Sequence, residues 1–292
     1  MTARTPLRTL LGDYPNTHAV RHGTVTSPRV PLAFADVPVP HKAFKRVVRD
    51  LEFDVAEIAL MTFLIARSRG AALKLLPVVV FSRNPLPHLV CDRERGRLTP
   101  GGLPGCRIAV RSYTTTTAVW IRALVADQFG VDTNRAQWIT LDEGHVAGVS
   151  DPANVRRDTS GADLMTMLRE GMADAVIVDP VPADPRFVPV VPDPEATFMA
   201  WMEKYGARTL NHVIAVRESL ADNEEIMSEL YRLFLASREL AGSTVDPASV
   251  PIGLDANRRN LEVAIAAADA QHLLARPLTL DDLVTDVLAS LR

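Results

Sequence analysis

The sequence predicts an α/β protein of two lobes, with two crossovers between them and a helical C-terminal tail. Short β-rich runs alternate with helical patterns along most of the chain, the mark of a parallel or mixed sheet flanked by helices. At 292 residues the chain exceeds the usual single-domain length, so two lobes or one large α/β unit are the natural expectations. Beyond Val216 the strand pattern stops and helical spacing takes over.

Thr9–Leu11 reads as the first strand, ending in the turn sequence Gly12-Asp13-Tyr14-Pro15. Phe53–Ile58 reads as the second and runs into a helix closing near Gly70, and Pro77–Phe81 reads as the third. A Gly/Pro-rich loop over 96–105 precedes a strand at Arg107–Val110. Ser112–Thr117 then leads into a helix carrying Val119, Trp120, Ala123 and Leu124, which Gly130 ends. After a polar stretch, 142–161, a helix is expected over Ala162–Glu170, with Gly171 handing over to the apolar strand Ala175–Val178. Asp179-Pro180 stops that strand, and the proline-rich segment 180–194 follows a surface or edge path. A short helix around Phe198–Met202 and a strand at His212–Val216 come next. In the tail Ile226, Leu230, Leu233 and Phe234 share one helix face, while Thr279 and Asp282 resemble a capping box opening the last helix.

This order assigns residues 1–90 and 213–292 to lobe I and 91–212 to lobe II, with a ligand cleft between them. In open α/β sheets ligands sit outside the carboxyl ends of the strands, which directs attention to particular loops. The net charge of −3 gives no basic footprint, so nucleic acid is not an expected partner. Arg4, Arg8 and Asp13 leave no signal-peptide core near the N-terminus, and no apolar run approaches the roughly 20 residues of a membrane span. A cytoplasmic protein without a membrane partner is expected. Cys91 and Cys106 lack metal-ligand spacing and are expected unpaired. The histidines show no close ligand spacing either, so no metal site is assigned. The helical tail offers packing surface for a second copy of the chain.

The most informative segment is Arg111-Ser112-Tyr113-Thr114-Thr115-Thr116-Thr117. A strand-to-helix turn there presents backbone N–H groups and the positive end of the helix dipole, and Arg111 adds a charge-assisted bond. The competing account has one threonine capping the helix and the others solvated. Asp13, Tyr14 and Thr17 follow the first strand, either as ligand contacts or as an ordinary turn. Glu57, flanked by apolar residues, is either a buried functional carboxyl or a structural acceptor of loop amides. Arg83 and His88 lie beyond the third strand, as a cleft-facing pair or as exposed loop residues. His212 opens the return strand, as a proton-transfer group or a satisfied core residue. Asp179 ends an apolar strand, facing the cleft or capping a turn. No GxSxG, HExxH, Walker loop or GxGxxG is present.

Several of these residues fall in segments that together resemble the 4,5-dihydroxyphthalate decarboxylase family. They are Gly12-Asp13-Tyr14 with Thr17, Glu52-Phe53-Asp54-Val55-Ala56-Glu57, Ser68-Arg69-Gly70 and Thr117-Ala118-Val119-Trp120-Ile121-Arg122. His212-Val213 and the C-terminal Asn257-Arg258, Leu261-Glu262 and Arg276-Pro277-Leu278-Thr279 follow in order. The resemblance implies a type 2 periplasmic-binding-protein-like fold, a small aromatic carboxylate as ligand, and loss of carbon dioxide without an organic cofactor. On that footing His212, His88 and Glu57 are the candidate proton donors. Arg83 and Thr114, Thr115, Thr116 and Thr117 would clamp a retained carboxylate, with Met61 in an apolar wall. Ala59, Met61, the Ser82–His88 loop, the all-threonine turn and Asp179 depart from the family pattern. A non-catalytic protein that binds or senses a small aromatic or dicarboxylic acid is the alternative.

Overall fold

The computed structural model describes residues 5–291; the expectation drawn from Arg4 lies outside them. The chain begins with β1 (Leu7–Leu10), α1 (His18–Arg21), β2 (Leu32–Phe34), α2 (Phe44–Arg49), β3 (Val55–Ala59), α3 (Leu60–Ser68) and β4 (Leu73–Ser82). Both β3 and α3 are buried along their whole length, which is why neither shows polar alternation. Pro77 is tolerated within β4 because this strand forms a sheet edge; its carbonyl accepts the Gly253 N–H at 2.8 Å.

A second section follows, with β5 (Leu89–Asp92), β6 (Arg107–Val110), α4 (Thr116–Phe129), β7 (Gln137–Thr140), β8 (Val155–Arg157), α5 (Leu164–Glu170), β9 (Ala175–Ile177), β10 (Phe187–Pro189) and α6 (Pro194–Tyr205). Its strands form one sheet in the order β10-β5-β9-β6-β7-β8. The run β9-β6-β7-β8 is parallel, and β5 is antiparallel to both of its neighbours. Val90, Ala109, Ile139, Met167, Leu168, Val176 and their neighbours make its core. Gly130 and Gly171 end α4 and α5 at φ of 63° and 73°, as glycine permits. Asp193 caps α6 and Pro194 opens it, so the helix runs to 12 residues where a shorter one was expected. The polar stretch 142–161 contains β8, an edge strand not foreseen.

The chain then returns through β11 (Leu210–Arg217), α7 (Glu224–Ala241), α8 (Leu254–Ala270), α9 (Leu280–Leu283) and α10 (Asp286–Ser290). With the first section these give a sheet ordered β2-β1-β3-β11-β4. Strands β1, β2 and β3 are parallel, and β11 is antiparallel to both β3 and β4. On α7 Leu230, Leu233 and Phe234 are buried and Ile226 half-buried. Asp282 accepts the Thr279 N–H at 2.8 Å, and the expected capping box is present, opening α9 with α10 still to follow.

Two compact units result, one of Met1–Arg83 with Leu210–Arg292 and one of Asn84–Thr209. The limits differ from the expected 90/91 and 212/213 for a simple reason. Strand β5 pairs wholly within the second sheet, and β11 begins at Leu210 within the first. Both cysteines are free, Cys91 buried and Cys106 half-buried. Among the described residues no helix is long and apolar enough to cross a membrane.

Candidate functional site

In the first unit, β1, β3 and β4 run one way and β11 runs against them. The residues after β1, the end of β4 and the start of β11 therefore meet at one edge of the sheet. Glu57 pairs with Ile214, and His212 precedes Ile214 by two residues, so Glu57 and His212 leave the same face as diagonal neighbours. His212 Nδ1 lies 2.6 Å from Glu57 Oε1. The β11–β4 ladder shifts register on both sides of His212, a local irregularity of the kind that re-aims side chains. The Gly12 N–H donates to Glu57 Oε2 at 2.6 Å, and the Tyr14 hydroxyl donates to Oε1 at 2.6 Å. A Cβ on Gly12 would stand 2.6 Å from Tyr14 Cε2 and 2.8 Å from Glu57 Oε2, so this approach requires glycine.

The Glu57 side chain has no exposed surface, whereas 18% of the His212 side chain is exposed. Burying a carboxyl is costly unless its oxygens accept hydrogen bonds, and here an amide, a phenol and an imidazole converge on them. Burial and the neighbouring Glu57 push the Tyr14 phenol above its ordinary range, which keeps it a donor. With Nδ1 committed to Glu57, Nε2 is the ring nitrogen left for an outside partner. Phe44 meets the imidazole edge-on at 5.3 Å and Phe81 packs at 5.5 Å, with Tyr14 stacked on Phe81 at 5.8 Å. The Arg83 guanidinium sits 5.4 Å over the Phe81 ring.

In the second unit the carboxyl ends of β6, β7 and β9 gather at the edge where β5 begins. Arg111 and Ser112 follow β6, Gly144 lies beyond β7, Asp179 beyond β9, and His88 stands just before β5. Ser112, Thr114 and Thr116 are buried; Arg111, Thr115 and Thr117 are half-buried. Thr115 occupies the cap position of α4, yet its hydroxyl donates to the Ser112 carbonyl at 3.0 Å and accepts no helix N–H. The Ser112 and Thr114 hydroxyls lie 3.4 Å apart, and a Cβ on Gly144 would come within 2.8 Å of Thr114 Oγ1. Burial pulls the Arg111 guanidinium below its ordinary range, with Asp142 opposing the shift. The Arg111 side chain has no hydrogen-bond or ion-pair partner among the described residues. His88 is buried, and its Nδ1 lies 2.8 Å from the Val178 carbonyl and 3.8 Å from Asp179 Oδ1. A carbonyl only accepts, so that nitrogen carries the proton.

The structure thus brings Tyr14, Glu57 and His212 together, places Arg83 beside their aromatic surround, and groups Arg111 with the threonine turn. Asp13 turns elsewhere: its exposed carboxylate faces His18 Nδ1 at 2.9 Å and His22 Nε2 at 2.8 Å. Thr17 serves the turn, accepting from the Tyr14 N–H and donating to the Gly12 carbonyl. Met61 is 0% exposed within α3, so it presents no surface for the expected apolar wall. His18 and His22 correct the reading that no close ligand spacing exists, because an i, i+4 pair near Asp13 was legible. Phe44 and Phe81 carried no signal beyond that of ordinary core residues.

No protein-family model matches the chain. It is similar to two curated proteins named 4,5-dihydroxyphthalate decarboxylase. The one from Comamonas testosteroni is 24% identical over 223 residues, 69% of this chain and 66% of that protein. The one from Pseudomonas putida is 24% identical over 176 residues, 56% of this chain and 68% of that protein. This chain therefore spans slightly under two thirds of the Comamonas protein's length. Among solved structures, the alkanesulfonate-binding protein SsuA from Xanthomonas axonopodis pv. citri, bound to MOPS, superposes with a TM-score of 0.58 at 14% identity, covering 97% of this chain and 99% of that one. The periplasmic aliphatic sulphonate binding protein SsuA from Escherichia coli gives 0.61 at 11% identity, with 98% and 99% covered. The desulfurization enzyme DSZB gives 0.55 at 14% identity, with 98% of each chain covered. The fold is accordingly periplasmic-binding-protein-like, as expected.

Proposed function

We propose that this chain is a lyase that removes carbon dioxide from a hydroxylated, phthalate-like aromatic acid, with His212 as the proton donor. The observation that carries the reading is the imidazole held through Nδ1 by the buried Glu57, which leaves Nε2 as the ring nitrogen not engaged by that carboxylate. The names of the two similar curated proteins supply the substrate class. In the imidazolium form Nε2–H gives its proton to the ring carbon bearing the carboxylate. The bond from that carbon to the carboxylate then breaks, carbon dioxide leaves, and the electron pair restores the aromatic ring. The imidazole, now neutral, regains a proton from water. Glu57 holds Nδ1–H throughout and balances the cationic ring, while Gly12 and Tyr14 hold Glu57. Glu57 itself has no surface from which to reach a substrate, so it is a positioning residue. Arg83 supplies a cation for a carboxylate the reaction retains, and Arg111 with Ser112 and Thr114 forms a separate set of oxyanion donors in the second unit.

Incubating purified protein with 4,5-dihydroxyphthalate and close analogues while measuring released carbon dioxide tests the proposal. His212→Ala should lower turnover by about 10²-fold or more, the usual worth of a positioned proton donor. A correctly folded His212→Ala protein with full activity would refute the assignment. The second reading, a protein that binds such acids without converting them, is favoured by the solved neighbours named as binding proteins. Thermal stabilisation by aromatic acids with no substrate loss across the panel would select it.

A further inference from the structure

We propose that Asp13, His18 and His22 form a binding site for a divalent transition-metal ion of the zinc class. Their ligand atoms all lie within 4.8 Å of one another. His18 Nδ1 and His22 Nε2 approach opposite oxygens of one carboxylate, at 2.9 Å and 2.8 Å, and the two rings lie 4.2 Å apart. Two features of the chain build this arrangement. The histidines are one helical turn apart, so α1 and the C-cap residue that follows it place both on one side. Asp13 comes from a turn fixed by bonds from Gly12 and Tyr14 to Glu57 and by the Thr17 hydroxyl.

The donor set selects the ion. Two imidazoles and one carboxylate suit zinc, cobalt or nickel, whereas calcium and magnesium favour all-oxygen ligation. Ligand atoms around tetrahedral zinc stand about 3.3 Å apart, so small ring movements convert the hydrogen-bonded triad into a coordinated one. All three residues are exposed, leaving the ion accessible and its remaining positions open to water. Asp13 stands between the two residues that donate to Glu57, so a bound ion would brace the turn that positions that carboxyl.

The test uses full-length protein stripped with a chelator and dialysed. Cobalt(II) chloride is titrated in, following visible absorption, and zinc chloride binding is measured by calorimetry and thermal unfolding. Wild type should take up about one equivalent of either ion in a saturable manner. The double variant His18→Ala/His22→Ala should bind at least about 100-fold more weakly, and zinc should raise the unfolding midpoint of wild type alone. Asp13→Asn, at an exposed position whose backbone bonds remain, serves as a second variant and should weaken binding about tenfold or more. The proposal is overturned if wild type shows no saturable binding, or if the folded variants bind as tightly as wild type.

Discussion

Tyr14 links two properties of the first unit, since its hydroxyl holds Glu57 and its own ionisation is disfavoured there by burial and by that carboxyl. Tyr14→Phe removes a single hydrogen bond and should cost about 1 kcal/mol at neutral pH. The pH dependence has a definite sign. The phenol's folded-state pKa lies above the ordinary value of 10.0, so above that pH the unfolded chain loses the proton while the folded chain keeps it. The unfolded state then binds fewer protons, and the stability contribution present below about pH 10 falls as pH rises. Urea unfolding of wild type and Tyr14→Phe at about pH 8 and about pH 10.5 should show the gap narrowing at the higher pH. A gap that stays constant would show that Glu57 and burial do not bias the phenol. The other tyrosines are common to both proteins and cancel in the comparison.

At the scale of elements, the mouth of α4 is set by the end of β6, which brings Arg111 beside the buried hydroxyls of Ser112 and Thr114. Arg111→Met keeps the aliphatic stem and removes the charge. It should weaken binding of a small aromatic carboxylate by about 10-fold to 100-fold, the worth of a charge-assisted hydrogen bond, with little change in unfolding midpoint. Calorimetry on both proteins checks this, and unchanged affinity would remove Arg111 from the site. Much at this scale was legible in the sequence. Arg107–Val110 was read to the residue, and Gly130 and Gly171 marked their helix ends because a left-handed residue is needed there. Strands β2 and β8 were not legible, being three residues long and edge strands held by a single parallel neighbour. The candidate site was legible only as separate residues. Glu57 and His212 are 155 positions apart, and what joins them is the β3–β11 register, which no local pattern encodes.

At the scale of the whole molecule the two units differ in how the chain supplies them. Residues 84–209 contain every strand of the second sheet and all of its core cluster, with no contribution needed from either end of the chain. The first unit is discontinuous, and its last strand, β11, lies between β3 and β4. A fragment of residues 84–209 should therefore fold alone and unfold cooperatively, with a stability on the order of 5 kcal/mol. A chain truncated after Thr209 should keep that transition while losing the first sheet, because β4 then has no strand to pair with. Circular dichroism with urea unfolding, and hydrogen exchange at the amides of β6 and β9, distinguish the outcomes. Since the fragment retains Arg111, Ser112 and Thr114, it should also bind a small aromatic carboxylate. A folded fragment that binds no small aromatic carboxylate at any accessible concentration would locate oxyanion recognition outside the α4 turn and leave that turn a structural cap.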